Sequence, residues 1–306
     1  MAEHPPIPVV CLAGSTGTGK TAFSLSLAER FRGSIINFDS RQVYKHFPIV
    51  TAQPTEEEQS LCPHHLYGFL EPDRSIDAGG YAQLAADVIR KVHAEGRLPV
   101  LVGGTGLYLR ALLEGIAPIP AIDPAVRAAV QDRWGVQGGE ALYEELKSVD
   151  PKYAARIHPH DRQRITRALE VFESTEKPFT MWHRERIAFG NFRALKLGIR
   201  LPLDELAPRL RFRIDAMLAA GALDEIRRAW ELCPDPEAPA WSGIGCHEIL
   251  QHLLGLMPLD QAVEEWLKST RRYAKRQTTW FRREKDMHWV EPGRSDDVIR
   301  SVSAWL

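Results

Sequence analysis

A glycine-rich loop near the start of the chain constrains its fold more than any other feature. Residues Val9 to Leu25 read VVCLAGSTGTGKTAFSL, an apolar run followed by the pattern G-x-x-x-x-G-K-[ST] and an amphipathic segment. In such a loop the backbone N–H groups turn inward around a phosphate, the lysine adds a positive charge and the threonine hydroxyl can hold Mg²⁺. A helix that follows directs its partial positive charge at the same anion. The sequence therefore predicts a strand, a phosphate-binding loop and a helix.

Strand-like and helix-like segments alternate through the first third of the chain. The predicted elements after the loop are a helix over Lys20–Phe31, a strand over Ser34–Phe38, a helix over Ala78–Glu95 and a strand over Leu98–Val102. Such alternation predicts right-handed βαβ units and a parallel sheet. Ligands of these sheets bind beyond the carboxyl ends of the strands. We therefore expect the glycine-rich loop, Asp39 and Gly103–Thr105 to converge on one crevice.

The middle of the chain has a different character. A linker-like segment, Ala117–Pro120, precedes a stretch from Asp123 to about Arg186 that is helix-compatible throughout. The predicted domains are accordingly a core of residues 1–116 plus 190–306 and a helical insertion of residues 117–189. Later predicted elements are a strand over Leu195–Leu201, helices over Asp204–Ala220, Ala222–Leu232 and Leu259–Arg283, and a short strand over Met287–Val290.

The composition excludes several classes of protein. Of 306 residues, 44% are hydrophobic and 26% charged, and no apolar run approaches the roughly 18 residues of a membrane span. The first residues lack the basic and apolar regions of a secretory signal. Four scattered cysteines without a C-x-x-C pair are typical of reduced thiols in the cytoplasm and argue against a zinc ribbon.

Basic residues are concentrated although the net charge is only −1. Between Lys268 and Lys285 eight basic residues face a single acid, and a second basic group lies between Lys152 and Arg167. Solvated helix faces are one interpretation of such runs. Two concentrated patches on a nearly neutral chain also indicate a polyanion that is held at defined places.

Six motifs in a fixed order give the chain a resemblance to the tRNA dimethylallyltransferases. They are the loop Gly14–Thr21, Asp39–Tyr44, Pro63–Leu66, Val102–Tyr108, Asp161–Glu170 and Lys275–Arg282. The resemblance implies an α/β fold: a P-loop NTPase-like parallel sheet with helices on both faces and an all-helical insertion domain. It also implies transfer of a dimethylallyl group to N6 of the adenosine next to the anticodon, position 37, in tRNAs that read codons beginning with U.

The resemblance gives the loop an unusual ligand, the diphosphate of dimethylallyl diphosphate, and ATP is not consumed. The residues expected to bind it are Gly14, Ser15, Thr16, Gly17, Thr18, Gly19, Lys20 and Thr21, the last with Mg²⁺ as cofactor. An allylic diphosphate ionises readily once its leaving group is neutralised. The family supplies a further cation that falls at Arg213, with Arg209 and Arg211 as alternatives.

Asp39 and Thr105 complete the expected catalytic set with Lys20 and Arg213. Asp39 follows a predicted buried strand and suits the role of general base for the N6 proton. An aspartate at this point of other P-loop proteins serves Mg²⁺, which is the alternative. Thr105 lies on a Gly-Gly turn, and the family places the equivalent threonine near the donor and the target base.

The expected macromolecular partner is the tRNA anticodon stem-loop, bound by a cytoplasmic monomer without membrane contact. A single-stranded loop lets one base splay out toward the enzyme. The residues that the resemblance assigns to tRNA are Asp39, Ser40, Arg41, Gln42, Thr105, Arg127, Gln163, Arg164, Ile165, Thr166, Arg167, Ser242, Gly243, Ile244, Gly245, Cys246, His247, Lys275, Arg276, Gln277, Thr278, Thr279, Trp280, Phe281 and Arg282.

The chain departs from the family pattern in two places. Lys45 and Gln53 stand where members usually carry other cations, and Cys246-His247 replaces a usual tyrosine and a basic residue. Three other functions remain open from the residues alone. They are a P-loop kinase of a nucleoside or small metabolite, a non-catalytic RNA-binding protein and an adenylate isopentenyltransferase. Neither the kinase nor the adenylate enzyme needs the Lys268–Lys285 patch.

Overall fold

The chain divides into two compact units in the computed structural model, which describes residues 5–306. The first unit runs to Leu113 and resumes over Phe189–Leu306, and the second is Glu114–Ala188. Among residues 5–306 no helix has both the length and the apolar character required to cross a bilayer.

Six strands and the surrounding helices form the part of the first unit that the structure describes. The strands are β1 Ile7–Gly14, β2 Gly33–Asn37, β3 His64–His65, β4 Leu98–Gly103, β5 Phe192–Ile199 and β6 Met287–Val290. Its helices are α1 Lys20–Phe31, α2 Pro48–Thr51, α3 Glu56–Leu61, α4 Ala78–Ala94, α5 Gly106–Glu114 (which ends in the second unit), α10 Leu203–Ala219, α11 Ala222–Leu232, the 3₁₀ turn Pro239–Ser242, α12 Cys246–Leu253, α13 Leu259–Phe281 and α14 Ser295–Trp305.

The six strands form one sheet in the order β3-β2-β4-β1-β5-β6, and every neighbouring pair is parallel. This confirms the predicted α/β class with its parallel sheet. Strand β1 lies inside the sheet and is buried along most of its length, as is usual for a parallel strand.

Helices cover both faces of the sheet. Val10 and Leu12 of β1 pack in one apolar cluster with Phe23 of α1, on the face that α14 also covers. Successive side chains of a strand point to opposite faces. Cys11 accordingly points to the other face, where it interacts with Tyr81 of α4.

The register of the sheet brings three strand ends together. Ala13 pairs with Gly103 and Asn37 pairs with Val102, so β1, β2 and β4 end side by side. The loops that follow these ends carry the glycine-rich sequence, Asp39 and Thr105. The three segments that we expect to converge on one crevice therefore lie at the same edge of the sheet.

The second unit is built from four helices: α6 Pro124–Val149, α7 Pro151–Ala154, α8 Arg162–Thr175 and α9 Phe179–Trp182. Helix α6 is interrupted at Gly138, whose φ of 82° is outside the helical range. Ile165 and Leu169, which recur at helical spacing, are fully buried in the apolar core of this unit.

Candidate functional site

The glycine-rich loop lies between β1 and α1, where the sequence predicts it. Gly17 and Gly19 have φ values of 82° and 86°, a backbone region that favours glycine. A Cβ on Gly17 would also stand 2.8 Å from Cδ2 of Leu210 in α10. The conformation of the loop therefore requires glycine at these positions. Helix α1 begins directly after the loop, at Lys20.

Lys20 is folded back over the loop. Its Nζ donates hydrogen bonds to the carbonyl oxygens of Gly14 and Ser15, at 3.0 and 2.9 Å. Burial lowers the pKa of Lys20 to about 8; the Asp39 carboxylate opposes this shift and the Arg213 guanidinium adds to it. An anion that binds beside this ammonium favours its charged form and offsets the cost of burying it.

Two cavities meet beside the loop within the first unit. The P-loop cavity encloses about 690 Å³ and is lined by Lys20, Thr21 and other loop residues, with part of that space open to solvent. The Trp266 cavity encloses about 850 Å³, also partly open, and its lining is more apolar, with Leu210, Met217 and Trp266. Four residues line both cavities: Thr16, Asp39, Thr51 and Arg213.

Asp39 is held at this junction by its own neighbours. The Asn37 side chain accepts a hydrogen bond from the Asp39 N–H at 2.8 Å, and Asp39 Oδ1 accepts one from the Arg41 N–H at 2.9 Å. Within residues 5–306 its Oδ2 accepts no hydrogen bond from the protein. One carboxylate oxygen thus orients the side chain while the other remains free for a ligand.

Thr105 joins the Asp39 turn to the turn after β4. Its Oγ1 accepts a hydrogen bond from the Ser40 N–H at 2.9 Å and lies 3.2 Å from Ser40 Oγ. Tyr273 of α13 interacts with Thr105 and lines the Trp266 cavity. Burial raises the pKa of the Tyr273 hydroxyl, so it stays protonated at neutral pH.

The three arginines considered for the additional cation differ in their surroundings. Arg213 lines both cavities and makes no hydrogen bond or ion pair within residues 5–306; burial lowers its pKa while Asp39 raises it. Arg211 is exposed and paired with Asp215 and Glu264 at 3.1 and 2.6 Å. Arg209 is exposed and lines neither cavity. The geometry favours Arg213.

Helix α2 forms one wall of the junction, although its sequence departs from the family pattern. The buried Glu225 of α11 accepts hydrogen bonds from the N–H groups of Ile49 and Val50 at 2.7 and 2.8 Å, which satisfies two free donors at the helix start. Gln53 donates to the Tyr44 carbonyl oxygen at 2.8 Å. Gln53 therefore supports the wall instead of supplying a cation.

The residues assigned to tRNA fall into three groups by exposure. Exposed are Arg127, Gln163, Arg164, Ser242, His247, Lys275, Arg276, Thr279 and Arg282. Partly exposed are Asp39, Ser40, Arg41, Gln42, Thr105, Arg167, Ile244, Thr278 and Trp280. Buried are Ile165, Thr166, Gly243, Gly245, Cys246, Gln277 and Phe281. Because the buried seven have almost no surface to offer, we expect them to support contacts rather than make them.

Within the second unit, the basic residues of α8 lie on its polar side. Gln163 and Arg164 are exposed, and Arg164 pairs with Asp161 at 3.4 Å. Arg127 and Arg167 both lie near the buried carboxylate of Glu170, at 3.9 and 3.3 Å. This shared carboxylate holds two arginines of different helices side by side.

Sequence reasoning did not assign Trp266, Thr270 or Tyr273 to the site, and it assigned Gln277 and Trp280 to tRNA contacts. Trp266, Thr270 and Tyr273 line the Trp266 cavity, and Gln277 and Trp280 continue the same side of α13 against the glycine turns. Their spacing of four, three, four and three residues is that of one helical face. This spacing could have identified the face of α13 that lines the site, but basic residues lie between its members and favour the interpretation of an RNA-binding surface.

A metal cluster of side chains is not part of this site. Within residues 5–306 no three His, Cys, Asp or Glu residues come together in a way that could hold a metal ion. His64 and Cys62 are instead occupied locally, with His64 Nδ1 2.8 Å from the Cys62 carbonyl oxygen.

Inorganic pyrophosphate should bind the loop less tightly as the pH rises through about 8. Above that pH Lys20 loses the proton that gives it its charge, because burial holds its pKa at about 8. Calorimetric titration between about pH 6.5 and 9.5 measures the effect, which approaches tenfold per pH unit if the charge is essential. Lys20→Ala is the control, since it lacks the titrating ammonium and keeps the pH dependence of the probe itself. Equal pH profiles for the two proteins would contradict the assignment.

Comparison with known proteins gives one consistent family. The sequence description of the IPP transferase family matches residues 42–284. A tRNA dimethylallyltransferase from Maridesulfovibrio salexigens is 52% identical over 299 residues, which cover 98% of this chain and 97% of the relative.

Solved structures agree with the sequence comparison. The full-length tRNA isopentenylpyrophosphate transferase of Bacillus halodurans superimposes with a TM-score of 0.71 at 32% identity, covering 98% of this chain and 95% of that one. A eukaryotic dimethylallyltransferase, solved in crystallographic snapshots of its action on tRNA, gives a TM-score of 0.78 at 28% identity. It covers 97% of this chain and 77% of that one. The similarity therefore extends over both units.

Proposed function

The chain belongs to the IPP transferase family, and on that premise we propose that it transfers a dimethylallyl group from dimethylallyl diphosphate to an adenosine of tRNA. The acceptor atom is N6 of the adenosine next to the anticodon, position 37, in tRNAs that read codons beginning with U. The observation that carries the proposal is the junction of the two cavities, where Asp39 and Arg213 line both.

The P-loop cavity is the donor side in this proposal. The diphosphate lies against the loop, and Lys20 turns from the Gly14 and Ser15 carbonyl oxygens toward it. Arg213 adds a second charge that has no protein partner within residues 5–306. Positive charge fixed at the place where the leaving group develops its negative charge lowers the barrier to ionisation.

Magnesium fits the same cavity. Mg²⁺ prefers oxygen ligands and is commonly bound by one or two protein groups together with substrate phosphates. Thr21 lines the cavity, and within residues 5–306 its hydroxyl makes no hydrogen bond. Thr21 would hold the ion, which when bound would neutralise part of the diphosphate charge.

The Trp266 cavity is the acceptor side. An adenine drawn from a single-stranded loop would lie among the apolar side chains, with Asp39 at the inner end. The free Oδ2 of Asp39 accepts the N6 proton as the C–N bond forms and the bond to the diphosphate oxygen breaks. Thr105 and Ser40 keep the Asp39 turn in place.

Contact with the RNA outside the cavities is assigned to exposed cations. Lys275 and Arg276 on α13 are exposed, and neither forms an ion pair with an acidic side chain within residues 5–306. Arg276 also lines the Trp266 cavity, at the place where the RNA loop would enter. Arg41 donates a hydrogen bond to Ser242 Oγ at 3.0 Å, which fixes a further cation on the same cavity wall.

We further propose that the enzyme acts in the cytoplasm as a monomer. Both cavities are lined by residues of one unit of a single chain. All four cysteines are free thiols, which is typical of a reducing compartment.

The affinity for the stem-loop should depend on salt concentration through the exposed cations that are assigned to RNA contact. Neutralising Arg164, Lys275 or Arg276 should each lower the slope of log affinity against log salt by about one unit or slightly less. The Lys91→Ala variant is the control, because Lys91 is exposed on α4 and lines neither cavity. Unchanged slopes in all three variants would show that these residues are solvated and do not contact phosphates.

A donor-exchange assay tests the proposed function against the kinase alternative. Purified protein, unmodified bulk tRNA and dimethylallyl diphosphate should yield prenylated adenosine on nucleoside mass analysis without added ATP. Replacing the donor with ATP should yield neither phosphorylated product nor ADP. Product that depends on ATP would support the kinase instead.

A further inference from the structure

Gln277 lies near the C-terminal end of α13, the most basic helix of the chain, yet its side chain is turned inward. Only 4% of the residue is exposed, whereas the neighbouring Arg276 and Thr279 are exposed. A buried amide on this helix needs partners inside the protein, because unpaired polar groups are costly to bury.

Both ends of the Gln277 amide have such partners. Its Oε1 accepts a hydrogen bond from the Thr16 N–H at 3.0 Å, and its Nε2 donates one to the Gly104 carbonyl oxygen at 3.1 Å. Only this orientation of the amide satisfies both, since the first partner is a donor and the second an acceptor. One side chain therefore bridges the phosphate-binding loop and the turn after β4.

The close approach of α13 to that turn depends on two glycines. A Cβ on Gly104 would stand 2.0 Å from Gln277 Nε2, and a Cβ on Gly106 would stand 1.9 Å from Trp280 Nε1. Both distances are far inside van der Waals contact. One face of α13 packs against the turn where the turn lacks side chains. The Gln277 bridge therefore depends on glycine at positions 104 and 106.

The two bridged segments carry the reacting groups of the proposed function. Thr16 lines both cavities. Gly104 directly precedes Thr105, which holds Ser40, and the Cβ position of Gly104 lies 3.3 Å from Asp39 Oδ2. A shift of the Gly104 peptide would therefore move the turn against which Asp39 is placed.

We propose that Gln277 is a positioning residue that sets the donor loop and the Asp39–Thr105 turn at their working distance, and that it does not contact tRNA. The inference rests on the proposed function for its kinetic consequence. Its geometric basis, the pair of hydrogen bonds, is independent of that function. Misplacement of reacting groups by about 1 Å costs on the order of 100-fold in rate.

Gln277→Met tests the proposal because methionine keeps the length of the side chain and removes both hydrogen bonds. We expect kcat to fall by about 100-fold while the stem-loop dissociation constant stays within about twofold of wild type. Amide hydrogen exchange at Thr16 should be faster than in wild type. The exchange measurement does not depend on catalysis, so it remains informative if wild type forms no product and the proposed function fails.

Gln277→Glu supplies a pH signature that a loss of stability would not produce. A protonated glutamate can accept from the Thr16 N–H and donate to the Gly104 oxygen, as glutamine does, whereas the ionised form places a negative charge against that oxygen. The relative rate of this variant against wild type should therefore rise as the pH falls. Gln277→Met should show no such rise, because its side chain does not titrate.

Val302→Ala is the matched control for destabilisation, since Val302 is buried on α14 and lines neither cavity. We expect it to lower Tm and leave kcat unchanged. The proposal is overturned if Gln277→Met keeps the wild-type kcat, whether or not RNA binding is weakened, or if Val302→Ala loses as much kcat at an equal loss of Tm. Unchanged exchange at Thr16 in Gln277→Met would equally overturn it.

Discussion

Lys20→Ala should lose about 10²- to 10³-fold in the rate of prenyl transfer while the protein stays folded. Lys20 lines the P-loop cavity, and within residues 5–306 its ammonium donates to the carbonyl oxygens of Gly14 and Ser15 alone. The variant therefore removes the charge that stabilises the departing diphosphate. Single-turnover rates with saturating RNA and a series of donor concentrations measure the loss.

Arg30→Ala is a suitable control for this variant, because Arg30 lies in the last turn of the same helix and is exposed. It should retain the wild-type rate and bind inorganic pyrophosphate normally. Near-normal turnover of Lys20→Ala would contradict the binding of the donor at the loop. It would also contradict the proposed division of the two cavities into a donor side and an acceptor side.

Asp39→Asn should lose about 10²- to 10⁴-fold in rate, the usual contribution of a general base. Asparagine keeps the shape of the side chain and can still accept the hydrogen bond from the Arg41 N–H. It cannot take a proton from N6 at neutral pH. We therefore expect donor and stem-loop affinities close to wild type, measured separately by calorimetry.

Binding of Mg²⁺ by Asp39 would give a different result for the same variant. Donor affinity would then fall, and added Mg²⁺ would restore part of the rate. Strong rescue across a Mg²⁺ series would defeat the assignment of Asp39 as the base and leave the transferase function in place.

Strong local patterns made much of the fold predictable. The predicted ranges Lys20–Phe31, Ala222–Leu232 and Met287–Val290 coincide with α1, α11 and β6. Each of the two helices is preceded by a glycine with positive φ, Gly19 before α1 and Gly221 before α11. The carboxyl-edge crevice followed from the rule that parallel strands end together.

Elements held by distant partners were not predictable from local sequence. Helix α2 has four residues, and its start is satisfied by the carboxylate of Glu225 far along the chain. Strand β3 has only two residues, too short for any alternation of side chains. Both depend on contacts that no window of the sequence contains.

The candidate site shows the same division. The P-loop motif placed Lys20 and Thr21, and a strand end placed Asp39, so these positions could be read from spacing. The inward direction of Gln277 could not, because it depends on the missing side chains of Gly104 and Gly106 in another element. The lysines and arginines around Gln277 made the whole segment read as an RNA surface.

The central claim is that the donor diphosphate and one adenine meet where the two cavities share Asp39 and Arg213. Its most direct test is a single-turnover assay with isotopically labelled dimethylallyl diphosphate and two anticodon stem-loops. The stem-loops are identical except that one carries adenosine at position 37 and the other a purine without the N6 amine. We predict label on that single adenosine with release of one diphosphate per prenyl group, and no labelled RNA from the second stem-loop. Equal labelling of both RNAs, or label at another position, would contradict the claim.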